Sequence, residues 1–297
     1  MPVEVDAEKE EKCFGKLISI RWPKGYRCPL CGNSSYWTKA VRKLLICKNC
    51  RKEISPLADT MFSRSRISLS AWFEIIKTLT NSPERVVTAT AIFEEVDLGS
   101  YRTAWEALRK LRFTISHNEP RLKLCGNVEF DELVISGQVG DYSKISILGA
   151  LEVDGKKRLS LKMIKNPDEM NIKDYFQRRF SRKTNIIIDS EKLYIRNWLA
   201  LNRMKPISSK QMYGSKFMNL HIILQDLKFG LRNGHHGISD KYLQENLDEY
   251  VFIFNHNNDR GKAFDLLLEY MMKTEISVYR DSKKQNKSFL SIITGSN

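Results

Sequence analysis

From Ser70 to Leu79 the apolar residues Trp72, Phe73, Ile75, Ile76 and Leu79 recur at helical spacing, which predicts an amphipathic helix. A second helical stretch runs from Val86 to Glu95. Val96-Asp97-Leu98-Gly99 then supplies a turn, and Ser100 is placed to cap a third helix from Tyr101 to Arg112. Trp105, Leu108 and Leu111 fall on one side of that helix and are expected in the core. Beyond Asn118-Glu119-Pro120, a domain boundary by its composition, the period changes. Leu124–Asp131, Ile145–Val153 and Lys157–Met163 read as strands, the second closed by an Asp154-Gly155 hairpin turn. Pro167 opens a helix reaching about Phe180. Asn185-Ile186-Ile187-Ile188-Asp189 is a fourth strand, apolar enough to lie centrally in a sheet. Ser190–Ala200, Asn219–Gly230, Asp240–Asn255 and Gly261–Met272 read as helices.

Charge changes this picture more than composition does. A hydrophobic fraction of 42% is ordinary for a folded chain, but a net charge of +14 is not. It favours a polyanionic partner, with nucleic acid the commonest; a solubility charge or a general lysine bias is the other source of such an excess. No apolar run is long enough to span a bilayer, so no membrane is expected. The start is acidic (Glu4, Asp6, Glu8, Glu10, Glu11), unlike a secretory signal or a basic transit peptide.

Four of the six cysteines form two C-x2-C turns, Cys28/Cys31 and Cys47/Cys50. Such turns aim paired thiolates at one ion, and two of them complete a tetrahedron, so structural Zn²⁺ is expected in a reducing compartment. A closed four-thiolate site has no open coordination position and holds the fold without doing chemistry. Basic residues around it, including Arg42, Lys43, Lys48 and Arg51, suit either a DNA-contact surface or a solvated face. Cys13 and Cys125 stand alone and are expected as small buried residues.

The two short helices about Val96–Gly99 fit a helix-turn-helix, which would put Ser100, Tyr101 and Arg102 toward base edges. The following β-β-β-α-β-α order is the ribonuclease-H-like arrangement, in which the first and fourth strands are neighbours. Strand ends would then carry Asp131 and Asp189 side by side. Two carboxylates that close repel unless cations bind between them, and a pair of Mg²⁺ or Mn²⁺ ions would answer this. The fold class is therefore α/β: a ribonuclease-H-like domain with a mixed sheet and helices, preceded by a zinc ribbon and a helix-turn-helix. The expected divisions are an acidic mobile start over 1–12, the ribbon over 13–62 and a helical DNA-binding region over 63–117. The α/β domain follows over 118–275, and a basic polar tail over 276–297.

Together these residues resemble the DDE-type transposases with an N-terminal zinc ribbon, a group of bacterial insertion-sequence enzymes and the related eukaryotic Merlin elements. The likeness rests on the two cysteine turns, Ser55–Phe62, Leu69–Phe73, Ser100–Trp105, Val128–Glu132 and Ile188–Ser190. It continues through Leu227–Arg232, His236, Tyr242-Leu243, Asp248-Glu249 and Phe254-Asn255. The resemblance implies metal-dependent cutting and joining of double-stranded DNA at transposon ends, with Asp131 and Asp189 as Mg²⁺ or Mn²⁺ ligands. It also implies a homodimer, located in the nucleus of a eukaryote or in the cytoplasm and nucleoid of a prokaryote. The third acidic position departs from the pattern. Register on the Lys228-Phe229-Gly230-Leu231 stretch puts His221 there, and a shift of two would put Asn219. Asp226 shares that helix but falls on another face. An imidazole favours Mn²⁺ or Zn²⁺ over Mg²⁺. Lys228, two turns beyond His221, is placed to meet phosphate. The missing carboxylate leaves open a domesticated or decayed transposase that binds DNA, or a host site, without cutting it.

Overall fold

The computed structural model of the chain describes residues 6–82, 86–136, 144–165, 169–181, 183–188, 207–208, 219–233 and 240–284. It divides into two units, each with its own core. The first comprises Met1–Ser82, Ala89–Asn118 and Asp259–Asn297; the second comprises Pro83–Thr88 and Glu119–Asn258. No helix among the described residues is long and apolar enough to cross a membrane.

The first unit opens with helix α1 (Ala7–Arg21). Asp6 caps it, its carboxylate accepting from the Glu8 and Lys9 N–H groups, and acidic residues in the first turn with Arg21 in the last suit the helix dipole. The acidic start expected to be mobile over 1–12 is thus helical from Ala7. A small antiparallel sheet follows, made of β1 (Tyr36–Lys39), β2 (Leu44–Cys47) and β3 (Glu53–Ile54) in that order. Helices α2 (Leu69–Asn81), α3 (Ala89–Glu95) and α4 (Tyr101–Asn118) come next. Glu10 joins α1 to α2: its two carboxylate oxygens accept from Leu69 N and Ser70 N at 2.8 Å each, and Lys43 pairs with it at 2.7 Å. Desolvation raises its pKa, but Lys43 and the two N–H groups outweigh that and hold it below the ordinary glutamate value.

A further helix of this unit, Arg260–Lys273, was expected within the α/β domain but packs here instead, against α1, α2 and α4. Phe264 meets Phe73 edge-on at 5.6 Å, and the Thr114 hydroxyl donates to the Met271 sulfur at 3.4 Å. Residues 276–284 are also helical. Tyr279 is buried against Phe113, and Lys283 pairs with Glu106, so the basic tail begins as packed structure.

The second unit is built on a five-stranded sheet of β4 (Asn127–Ser136), β5 (Lys144–Glu152), β6 (Leu159–Lys165), β7 (Asn185–Ile188) and β8 (Ile207–Ser208). The spatial order is β6-β5-β4-β7-β8. The first three strands are antiparallel neighbours, while β7 runs parallel to both β4 and β8. Three helices complete the described part: α5 (Glu169–Arg179), α6 (Asn219–Asn233) and α7 (Asp240–Asn255). With these placed, the Arg260–Lys273 helix of the first unit is α8. The helix expected over Ser190–Ala200 lies outside the described residues.

Strand alternation splits the core between two faces. Val128, Phe130, Leu148, Ala150, Ile164, Ile186 and Ile188 face α5, where Tyr175, Phe176 and Phe180 close on Phe130. Leu133, Ile145, Ile147, Leu151, Leu159 and Leu161 face α6 and α7. The outer edge of β6 is covered by side chains of α7. Asn255 bonds both the N–H and the C=O of Leu159, and the Gln244 side-chain oxygen accepts from Met163 N at 2.9 Å.

Candidate functional site

The two cysteine turns share one backbone plan. Gly32 N donates to Cys28 O and Arg51 N to Cys47 O; Cys28 N donates to Asn33 O and Cys47 N to Lys52 O. The residue after each second cysteine is left-handed, Gly32 with φ 74° and Arg51 with φ 58°. The four sulfurs lie within 4.8 Å of one another, with Cys28–Cys50 at 3.7 Å and Cys31–Cys47 at 3.5 Å. A tetrahedron with metal–sulfur bonds of about 2.3 Å has edges of roughly 3.8 Å, so the donor set fits Zn²⁺. Burial raises a thiol's pKa, but the N–H groups of Leu30 and Cys31 offset this at Cys28, and those of Cys50 and Asn49 bring Cys47 down to about 6. Thiolates are thereby favoured at Cys28 and Cys47, while at Cys50 the Lys52 N–H is outweighed by burial and the neighbouring sulfurs, which push the thiol up to about 11. Burial and the neighbouring Cys28 sulfur push the Tyr26 hydroxyl well above its ordinary value. Of the two cysteines outside the C-x2-C turns, Cys13 is only half-buried and Cys125 is exposed, against the expectation that both would be small buried residues. Cys125 sits instead by the Arg158–Glu152 ion pair, where its N–H donates to Glu152 at 2.9 Å.

On β4, Glu129, Asp131 and Leu133 point to the α6 side. Asp131 was expected at a strand end; it lies mid-strand, paired with Gly149, because the alternation continues through Leu133 and Ile135 to the Ser136–Lys144 pair. It is largely buried, and one of its oxygens accepts from Glu132 N at 2.7 Å. The other lies 3.4 Å from His221 Nδ1, and the His221 ring remains 43% exposed. The structure therefore brings these two expected site residues together. Asn219, the alternative register, turns its amide to Glu129 at 3.3 Å.

Glu129 escaped the sequence reading. It is fully buried and accepts from Leu220 N at 2.6 Å, so it receives the first turn of α6 and fixes where His221 emerges. Its signal in the sequence was available: it stands two residues before Asp131, on the same face of a half-buried strand. Gly149 matters for the same reason. A Cβ there would lie 3.2 Å from both Leu220 Cδ1 and Leu224 Cδ2, so the glycine lets α6 approach the sheet under Asp131.

Asp189 lies outside the described residues. Ile188, which precedes it, pairs with Phe130, which precedes Asp131. Asp226 is exposed, and Lys228 is half-buried on α6. Among the described residues, the cysteine quartet is the one group of three or more His, Cys, Asp or Glu side chains with metal-binding spacing.

In the first unit, Ser100 caps α4, its hydroxyl accepting from Thr103 N at 3.2 Å, and Ser100, Tyr101 and Arg102 are exposed. Leu108 and Leu111 are buried as expected, but Trp105 is 37% exposed. The buried stripe is completed by Ala104 and Ala107, which leaves Trp105 one step off it beneath the Arg109 guanidinium, 5.0 Å from the ring.

Comparison with known proteins speaks first to the class. Residues 8–53 match the transposase zinc-ribbon domain, a span that takes in α1 from its second residue, β1, β2 and the four cysteines of the two C-x2-C turns. Among particular proteins, the chain is similar to an uncharacterized protein in transposable element ISH50 of Halobacterium salinarum, with 29% identity over 138 residues. That alignment covers 46% of this chain and 45% of the relative, so the chain spans less than half the length of the curated relative it matches. No solved structure matches.

Proposed function

We propose that the chain acts in DNA transposition, as a DDE-type enzyme with a ribonuclease-H-like domain. In this reading it binds duplex transposon ends through the ribbon and a helix-turn-helix formed by α3 and α4. Asp131, Asp189 and His221 form the cutting site. The carrying observation is the sheet order β6-β5-β4-β7-β8, with parallel β4 and β7 in register at Phe130–Ile188 and His221 against Asp131. The transposase-type ribbon and the relative from a transposable element support it.

The chain's own residues set what such a site can do. Glu132 N holds one oxygen of Asp131, and the other lies against His221. His221 adds a neutral nitrogen where a carboxylate would add charge, which suits Mn²⁺ better than Mg²⁺. Divalent cations held there would stabilise the charge that builds on a phosphodiester under in-line attack. Tyr101 and Arg102 would read bases and Lys228 would meet phosphate, with two copies of the chain cooperating on paired ends.

The test is cleavage of a pre-paired transposon-end duplex in Mn²⁺. Wild type is expected to cut, and Asp131→Asn to lose cutting by orders of magnitude. Cutting that is indifferent to Asp131→Asn rejects the site. A second reading, a domesticated protein that binds DNA without cutting, is favoured by one observation: the imidazole beside Asp131. It predicts cutting only after His221→Glu.

A further inference from the structure

The face of the sheet away from Asp131 carries a feature that the proposed cutting site leaves unused. An open cleft of about 720 Å³ lies between β6 and α5, with Arg121, Lys123, Lys162, Lys165, Arg178 and Arg179 along its walls. Among the described residues, the single carboxylate in its lining is Asp174, which is bonded to Arg178 at 2.6 Å. Ser160 and Ile164, which flank Lys162 on the same face of β6, meet α5: Ser160 bonds the Tyr175 hydroxyl, and Ile164 shares a cluster with Phe176. Lys162 therefore rises from the sheet into the cleft, on the opposite face from Glu129 and Asp131.

Two of these cations are costly to the fold. Burial lowers the pKa of Lys162, and the nearby Arg121 and Arg179 charges lower it further. Burial and Arg121 also lower Arg179. Neither has a carboxylate within ion-pair distance among the described residues; Asp248 acts on both, and Asp174 on Lys162, only at longer range. A half-desolvated cation among like charges destabilises a fold unless an anion is supplied from outside. Guanidinium forks and an ammonium on apolar walls suit phosphate oxygens. Cations spread along an open cleft suit several phosphates in series better than one.

We propose that the β6–α5 cleft is a second nucleic-acid backbone site, separate from the cutting site and on the other face of the sheet. It rests on the reading of the chain as DNA-binding, but not on cleavage. A phosphate held there is not the one that Asp131 would face, so the cleft would hold a second segment of DNA.

The experiment is fluorescence anisotropy of a labelled duplex with the zinc-loaded full chain across a salt series. It compares wild type, Arg102→Ala, and a Lys162→Met/Arg179→Gln double variant that removes both charges and keeps unbranched stems. Each cation removed from a phosphate contact flattens the log–log salt slope by about 0.9, so the double variant should be shallower by about 1.8. At about 0.1 M salt it should bind tenfold or more weakly. Lys162→Arg/Arg179→Lys should restore binding, which distinguishes lost charge from misfolding. An unchanged slope and affinity in the double variant overturn the cleft alone; no DNA binding by wild type overturns the wider reading as well. Pyrophosphate titrated into wild type and double variant separates the ligand's sources. Pyrophosphate binding that the double variant loses, with DNA binding intact, would assign the cleft to a small phosphate compound and overturn the proposal.

Discussion

Glu129 is a fully buried carboxylate whose visible partners are both at the start of α6, Leu220 N and the Asn219 amide. Removing it leaves that N–H buried and unpaired, a loss of about 1–3 kcal/mol. Glu129→Ala should lower the urea midpoint accordingly, while Glu129→Gln, which still offers an oxygen to Leu220 N, should lose less. Equal losses in the two variants would count against the cap. Glu152 carries a pH dependence of known sign. Desolvation raises its pKa, but Arg158 and the Cys125 N–H outweigh that and hold it below its ordinary value near 4.5. Its contribution is complete above that value and is lost as pH falls through the lower folded-state one. Acid titration of stability should therefore be shallower below pH 4.5 in Glu152→Gln than in wild type. Asp131 stands out in the sequence as a carboxylate in an apolar strand; Glu129 shares its face two residues earlier, but its role as a helix cap shows only once its partner, a helix end far along the chain, is known. Trp105 misled for the converse reason. Helical spacing marks a stripe, but whether a residue at its margin is covered depends on what packs there.

Elements with strong local signals are where the chain announced them. Helix α7 spans Asp240–Asn255 as read from its period, and the β5–β6 hairpin turns at Asp154-Gly155, with Gly155 at φ 67°. The ribbon is the extreme case, since its ligand spacing carries its geometry. Its three short strands bury little, with Leu45 and Cys47 alone fully covered in β2, so the metal must supply the folding energy. A structural zinc site of this kind contributes about 10–16 kcal/mol at neutral pH. Metal analysis should find one zinc per chain, and chelation should quench the order around Trp37, which lies beneath Arg51 and Lys48. The helical circular dichroism of α2 and α4 should largely survive. Retention of Trp37 spectral features without zinc would show that the sheet stands without its ion. The β7–β8 pair was less legible: β8 is two residues long, too short to leave a period.

At the scale of the molecule, the chain returns at its end to the unit in which it began. Amphipathic period showed that α8 has an apolar face but not which surface covers that face, and so its unit was misassigned. Leu267, Leu268, Met271 and Met272 are all buried, and the helix packs against α1, α2 and α4 of the same unit. Asn118 bonds the Thr274 hydroxyl at 2.6 Å, and Met61 N donates to Met271 O, so loop, helix and tail close on one another. Ending the chain at Asn258 would remove that side of the core and leave the inner faces of α2 and α4 in water. Each large buried side chain so exposed costs about 1.5–3 kcal/mol, and several are lost together, which exceeds the stability of most domains. The second unit keeps its own closure, because Asn255 and Gln244 still cover β6. Hydrogen exchange on the truncated chain should therefore show lost protection in α2 and α4 with protection kept in β4 and β5. Protection surviving in α2 would mean that α8 is an accessory to the first unit; protection lost in β5 would mean that the two cores do not fold separately.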